Sequence, residues 1–295
     1  MSQPSVPDIA TLRRICHGAK LAKDPRPIYV VTRRISIHLT WLILHTGLSP
    51  NQVTGLAVSL GLVGSGLLAV PGGVWALAGG IALLAHHLVD KVDGDVARFR
   101  RTYSIVGVYL DELGHGLAFA GIFIGLGLHL AWAADGATRI ALMTAAAIGG
   151  LAMVLGRHHK SIGFQLYAQH VVGHPELVPR TPTSGRASGL TREATHRARR
   201  AGDSGSGWMG AARDFMLQLS DFSLMVVLVV VGAGVEIGTG SAAFLRWVLL
   251  GEAALQVAVF VAVVGVNLAA NVESEVSRLA AAAGQSPSEP PAPDA

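Results

Sequence analysis

Carboxylates, a guanidinium and an imidazole crowd into one short stretch, from Asp90 to His115. It reads Asp90-Lys91-Val92-Asp93-Gly94-Asp95-Val96-Ala97-Arg98, then eight residues, then Gly107-Val108-Tyr109-Leu110-Asp111-Glu112-Leu113-Gly114-His115. The block lies against two long apolar runs, Val74 to Val89 and Ile105 to Trp132. Ionisable groups at such depth are costly in lipid, face a polar cavity, and mark a functional site. Asp90, Asp93 and Asp111 offer hard oxygen ligands of the kind Mg²⁺ and Mn²⁺ take. Asp90 and Asp93 are three apart and Asp111 and His115 four apart, so on helices each pair shares a face. Two antiparallel helices joined by a short polar turn bring the pairs together. Gly94 and Gly107 remove side chains beside them, so that a backbone or a ligand can come close. Arg98 adds a rigid fork suited to a phosphate oxygen. Carboxylates for a divalent metal together with an arginine for phosphate point to chemistry at a pyrophosphate.

These residues resemble the signature of the CDP-alcohol phosphotransferase family, D-x2-D-G-x2-A-R-x8-G-x3-D-x3-D. Asp90, Asp93, Gly94, Ala97, Arg98, Gly107 and Asp111 match it at the same spacing, seven of the eight fixed positions. The last position departs, with His115 where the family has its fourth Asp. Upstream, Leu48-Ser49-Pro50-Asn51-Gln52-Val53-Thr54 resembles the family's entry into its first transmembrane helix.

The resemblance implies an enzyme that cleaves the pyrophosphate of a CDP-alcohol, in this reading CDP-diacylglycerol. The substituted phosphate passes to a hydroxyl acceptor and CMP is released, a step of phospholipid biosynthesis. It implies two divalent ions, Mg²⁺ or Mn²⁺, held by Asp90, Asp93, Asp111 and the residue at position 115. Arg98 would orient phosphate, Gly94 and Ala97 would leave room for the nucleotide, and Asn51 and Thr54 would meet its cytidine side. The family's fourth Asp serves as the base for the acceptor hydroxyl, which gives His115 that role here. A neutral imidazole accepts a proton near neutral pH, and its nitrogen also binds metals, Mg²⁺ less well than a carboxylate does. The expected partners are the CDP-alcohol lipid, the acceptor, membrane lipid and a second copy in a homodimer.

Composition sets the frame for these residues. The chain has 295 residues, 51% hydrophobic and only 14% charged, and a mean hydropathy of +0.48. That predicts an all-α, polytopic membrane protein. Six apolar segments carry it: Gln52–Val70, Val74–Val89, Ile105–Trp132, Thr138–Leu155, Asp221–Gly238 and Ala242–Ala270. Ile28 to Leu44 mixes apolar residues with Arg33, Arg34, His38 and His45 and reads as an N-terminal juxtamembrane amphipathic helix. Met1 to Lys23 has no apolar core of a signal peptide and reads as polar and loosely ordered. Of the 23 Lys and Arg, all but Arg139 and Arg246 fall before segment one, after segments two and four, or in the tail. Both termini and the Asp cluster are therefore expected on the cytoplasmic side of the inner membrane. Anionic lipid accounts for the basic balance, and no nucleic-acid motif accompanies it.

The expected organisation is a cytoplasmic segment over 1–48, a six-helix membrane domain over 49–271 and a disordered tail over 272–295. Residues 174–207, rich in Pro, Ser, Thr, Gly and Arg, read as a flexible cytoplasmic loop, and Trp208 to Leu219 as a short interfacial helix.

Each remaining candidate has a plainer counterpart. The three aspartates could form salt bridges with Arg98, Arg100 and Arg101. Asp95, one position off the motif, reads as solvated or as a neighbour of the ligands. His86, one turn before Asp90, and His87 read as interfacial. Arg157, His158, His159 and Lys160 could hold an acceptor phosphate, and more simply anchor the cytoplasmic end of segment four. Glu252 and Gln256 read as interhelical hydrogen bonding or a dimer contact. The single cysteine, Cys16, excludes an intrachain disulfide and suggests no role. Two functions from other classes stand against the enzyme: a non-catalytic membrane scaffold or lipid-binding protein that keeps the fold, and a small transporter.

Overall fold

The structure is a computed structural model that describes residues 6–21, 27–102, 104–173 and 220–269. Those residues form eight α-helices and no strand. In chain order they are α1 (Ile9–Leu21), α2 (Pro27–Thr46), α3 (Pro50–Leu68), α4 (Gly73–Arg100), α5 (Ile105–Trp132), α6 (Gly136–Gly173), α7 (Phe222–Thr239) and α8 (Ala243–Ala269). Six of them, α3 to α8, are long and apolar enough to cross a bilayer. The protein is an all-α polytopic membrane protein with N-terminal helices before the first span. The expected loop 174–207, the helix at Trp208 to Leu219 and the tail 272–295 lie outside the described residues.

The chain divides into two compact units. The first comprises Met1–Val154 and Leu217–Ala258 and holds the motif residues from Asp90 to His115 together with Asn51 and Thr54. The second comprises Leu155–Met216 and Val259–Ala295, of which the C-terminal parts of α6 and α8 are described.

Two apolar cores hold the first unit together. The larger joins Leu83 of α4, Ile122, Phe123 and Leu126 of α5, Met225 and Val229 of α7, and Leu245 and Leu249 of α8. The smaller lies beneath the motif and joins Leu12 and Cys16 of α1, Ile37 of α2, Val53 and Ala57 of α3, and Val89, Val92 and Val96 of α4. Helices α3 and α4 approach at backbone distance. A Cβ on Gly79 would lie 2.6 Å from the Leu68 nitrogen and 2.7 Å from the Gly64 carbonyl oxygen, so only glycine fits.

Two expectations change. The apolar run of segment two stops at Val89, and a polar turn was expected after it; α4 instead continues to Arg100. The reason is visible in its buried positions: Val89, Val92, Asp93 and Val96 follow the helical period, so the apolar stripe persists where mean hydropathy falls. At about 1.5 Å per residue the helix runs about 42 Å, beyond the roughly 30 Å of a hydrocarbon core, and its last turns carry the motif. The turn is confined to the residues after Arg100, where Arg101 adopts a left-handed φ of 54°. Secondly, residues 9–21 are helical rather than loosely ordered, and Leu12, Cys16 and His17 of α1 are buried. Cys16 is one of the packed residues, with its Sγ donating to the Asp95 carbonyl oxygen at 3.5 Å.

Candidate active site

The start of α3 is built by its own sequence. Ser49 caps the helix: its Oγ accepts from the Gln52 N–H at 3.3 Å while Gln52 Oε1 accepts from the Ser49 N–H at 2.9 Å. Pro50 occupies the first turn, where a missing N–H costs no hydrogen bond. This reciprocal cap fixes the direction in which Asn51 and Thr54 leave the helix.

From there α3 meets the motif in steps of about one turn. Asn51 Nδ2 donates to Ser104 Oγ at 3.4 Å, and Ser104 in turn caps α5 by accepting from the Gly107 N–H at 3.2 Å. A Cβ on Gly107 would lie 2.6 Å from Asn51 Oδ1, which explains a glycine at that motif position. Thr54 Oγ1 donates to Asp93 Oδ2 at 2.7 Å, and Asp93 Oδ1 also accepts from the Gly94 N–H. Each Asp93 oxygen keeps a further lone pair for a cation. His86, buried in α4, pairs its Nδ1 with the Ala57 carbonyl oxygen at 2.8 Å. His87 Nε2 lies 2.7 Å from Ser223 Oγ of α7. Both histidines thus tie α4 to its neighbours.

Helices α4 and α5 then bring Asp90, Asp111 and His115 together. One ligand atom from each lies within 4.8 Å of the others. His115 Nδ1 is 2.8 Å from the Asp111 carbonyl oxygen and 3.3 Å from Asp111 Oδ1. A carbonyl only accepts, so Nδ1 carries the proton and Nε2 the lone pair. Nε2 faces Asp90 Oδ1 at 3.4 Å. Two acceptors at that distance repel unless a proton or a cation lies between them. Two carboxylates and an imidazole nitrogen therefore fit a divalent ion, with Mn²⁺ the better match to the nitrogen. Phe119 closes one side of the His115 ring edge-on, with centroids 5.6 Å apart, and His86 another at 6.4 Å. Phe119 stacks on Phe222 of α7 at 4.8 Å. These aromatics give the site a wall that the motif itself did not predict.

Of the two readings of Asp95, solvated or a neighbour of the ligands, burial removes the first, since it is 0% exposed. Its Oδ2 accepts from His17 Nε2 at 2.8 Å and lies 3.4 Å from Thr40 Oγ1, which has the Ser36 carbonyl nearer at 2.9 Å, and its Oδ1 pairs with Arg98 Nη2. Arg98 is therefore held by Asp95 rather than by the three metal candidates. The buried Arg98 Nε has no hydrogen-bond partner among the described residues. Arg100 Nη1 donates to the Leu48 carbonyl oxygen, joining the end of α4 to the start of α3. Gly94 lies against Arg98, since a Cβ there would come 3.3 Å from Nη1. Ala97 is half-buried on α4 one residue before it.

The other candidates lie elsewhere. Arg157 to Lys160 fall inside α6, which runs on to Gly173. Gln256 Nε2 donates to the Ser220 carbonyl oxygen at 3.1 Å, so it bonds within the protomer, and Glu252 beside it is buried. His129 bridges Glu236 at 2.9 Å and the Val70 carbonyl at 3.0 Å, near the ends of α5 and α7 remote from the motif.

Apolar helices thus carry carboxylates, an imidazole and an arginine together at one end, groups suited to a divalent ion and a phosphate. Residues 47–174, a little under half of the chain, match the family model described as CDP-alcohol phosphatidyltransferase. The chain is also similar to the Bifunctional IPC transferase and DIPP synthase of Rubrobacter xylanophilus, with 40% identity over 96 residues. That alignment takes in 31% of this chain and 21% of the relative's length.

Proposed function

We propose that the protein transfers a substituted phosphate group from a CDP-alcohol lipid, CDP-diacylglycerol in the first instance, to a hydroxyl acceptor with release of CMP. The observation that carries this reading is the convergence of Asp90, Asp111 and His115 from two helices within 4.8 Å of one another. The family match over residues 47–174 and a relative named as a transferase and synthase support it.

Asp90, Asp93 and Asp111 would hold the divalent ions. When bound, Mg²⁺ or Mn²⁺ would neutralise the diphosphate and stabilise charge at the reacting phosphorus. Thr54 keeps the Asp93 carboxylate in one orientation through the bond to Oδ2. Arg98 orients the diphosphate, with Gly94 and Ala97 beside it on α4. Asn51 lies on the nucleotide side, where its bond to Ser104 ties α3 to the cap of α5. His115 accepts the proton of the acceptor hydroxyl at Nε2, because Nδ1 is committed to the Asp111 carbonyl. The same Nε2 lone pair can instead join Asp90 and Asp111 on an ion, so base and metal ligand are alternative roles for His115.

The site lies at the end of α4 and α5 rich in basic residues, which is read as cytoplasmic. Exposed Val31, Ile35 and Leu42 give α2 an apolar face suited to the membrane interface. The homodimer belongs to the same proposal. The observation that favours a non-catalytic relative is His115 itself, which removes one negative charge from a site for two dications. Purified protein incubated with CDP-diacylglycerol, Mn²⁺ or Mg²⁺ and a panel of alcohols, with lipid products identified by mass, separates the two. A new phosphodiester lipid is the expected result; no product with any alcohol favours the scaffold.

A further inference from the structure

We infer that His17, on the N-terminal helix α1, is a positioning residue for the phosphate-orienting Arg98 and acts through Asp95. The inference rests on the proposed role of Arg98 at the donor diphosphate. Its basis is a chain of buried contacts that no motif links. His17 is 1% exposed and Asp95 0%, and they meet at 2.8 Å across 78 residues of sequence. The Thr40 hydroxyl of α2 lies 3.4 Å from the same Asp95 oxygen but nearer the Ser36 carbonyl, at 2.9 Å, and Cys16 donates to the Asp95 carbonyl. Asp95 spends its other oxygen on Arg98 Nη2.

A buried carboxylate is held where its donors are, and it fixes whatever else it binds. His17 of α1 holds one oxygen of the buried Asp95 carboxylate, with the Thr40 hydroxyl of α2 beside it, so Oδ1 is left directed at Arg98. That direction fixes the guanidinium plane of Arg98 while leaving its buried Nε without a partner among the described residues. Arg98 also lines a cavity of about 410 Å³ together with Ile15 of α1, Phe99, Arg100 and Arg101. A guanidinium held in place where it lines a basic cavity is suited to a phosphate oxygen. Without His17, Asp95 is free to turn, and Arg98 loses its fixed plane before it loses its charge. The helix α1 is thereby part of the substrate machinery rather than a peripheral segment.

The test uses the full chain in detergent with saturating Mn²⁺, reading CDP affinity by titration calorimetry and donor KM and kcat by CMP release. His17→Ala is expected to weaken CDP binding about ten-fold, as loss of one charge-assisted hydrogen bond does, with donor KM rising more than kcat falls. His17→Gln, which carries an N–H at similar reach, is expected to restore most of the affinity. His17→Asn, with its shorter reach, should behave like Ala and replaces it if the Ala protein does not fold. In an Asp95→Asn background, His17→Ala should add nothing further, because both changes break one chain of contacts. Cytidine affinity should be the same in all variants. Unchanged CDP affinity in His17→Ala, a Gln variant no better than Asn, or an equal loss for cytidine would each overturn the inference. A wild type that binds no CDP overturns it along with the transferase reading. Binding of CDP without CMP release from any donor removes the transferase reading alone.

Discussion

His115 Nε2 lies 3.4 Å from Asp90 Oδ1, across the seam between α5 and α4. Because Nδ1 of the same ring is committed to the Asp111 carbonyl at 2.8 Å, Nε2 is the nitrogen that any chemistry must use. The pair joins the one departure from the family signature to the first aspartate of that signature.

His115→Ala should therefore lower kcat by about 10²- to 10⁴-fold, the usual worth of a positioned general base, while donor KM changes less. His115→Asp, which gives the family's residue, should retain turnover with an altered preference between Mg²⁺ and Mn²⁺. Steady-state CMP release with both metals reads this. Unchanged kcat in the Ala variant would move the base elsewhere.

Thr54→Val removes the donor to Asp93 Oδ2 and keeps the side-chain shape. A hydrogen bond to a charged group contributes about 1.5–3 kcal/mol, so Mn²⁺ affinity should fall by roughly ten-fold or more. Metal titration by calorimetry checks it, and an unaltered affinity would detach Asp93 from the metal site.

Gly79→Ala would drive a Cβ to 2.6 Å from the backbone of α3, and neither helix can yield without parting. The expected loss is about 1–3 kcal/mol, seen as a lower melting temperature in detergent. Gly66→Ala has nothing within 4 Å of its new Cβ and is the control, expected to be neutral or stabilising.

Asp135, in the turn between α5 and α6, and Arg101, after α4, lie at opposite ends of α5. A reporter inserted near Asp135 should read external, and one fused after Ala295 cytoplasmic. The reverse pair of readings would move the site to the other side of the membrane.

What could be read from sequence followed local signals. Apolar runs located the six spans to within a few residues at most ends, and the motif spacing put Asp90 and Asp111 with His115 on facing helices. The extension of α4 to Arg100 was missed because average hydropathy drops while the buried stripe of Val89, Val92 and Val96 continues. Helix α1 was missed because its buried residues, Leu12, Cys16 and His17, are too few to stand out from polar neighbours. The burial of Asp95 is not legible in sequence because its partner His17 comes from α1, and no spacing in the chain announces a contact across 78 residues. The aromatic wall of Phe119 and Phe222 joins α5 to α7 across a similar gap.

Metal-dependent transfer at the aspartate cluster is read by CMP release from CDP-diacylglycerol in the presence of an acceptor alcohol. Release is expected with Mn²⁺ or Mg²⁺, none in excess chelator, recovery when metal is restored, and none from Asp93→Ala or Asp111→Ala at any metal concentration. Full release in excess chelator, or from Asp111→Ala, would contradict it.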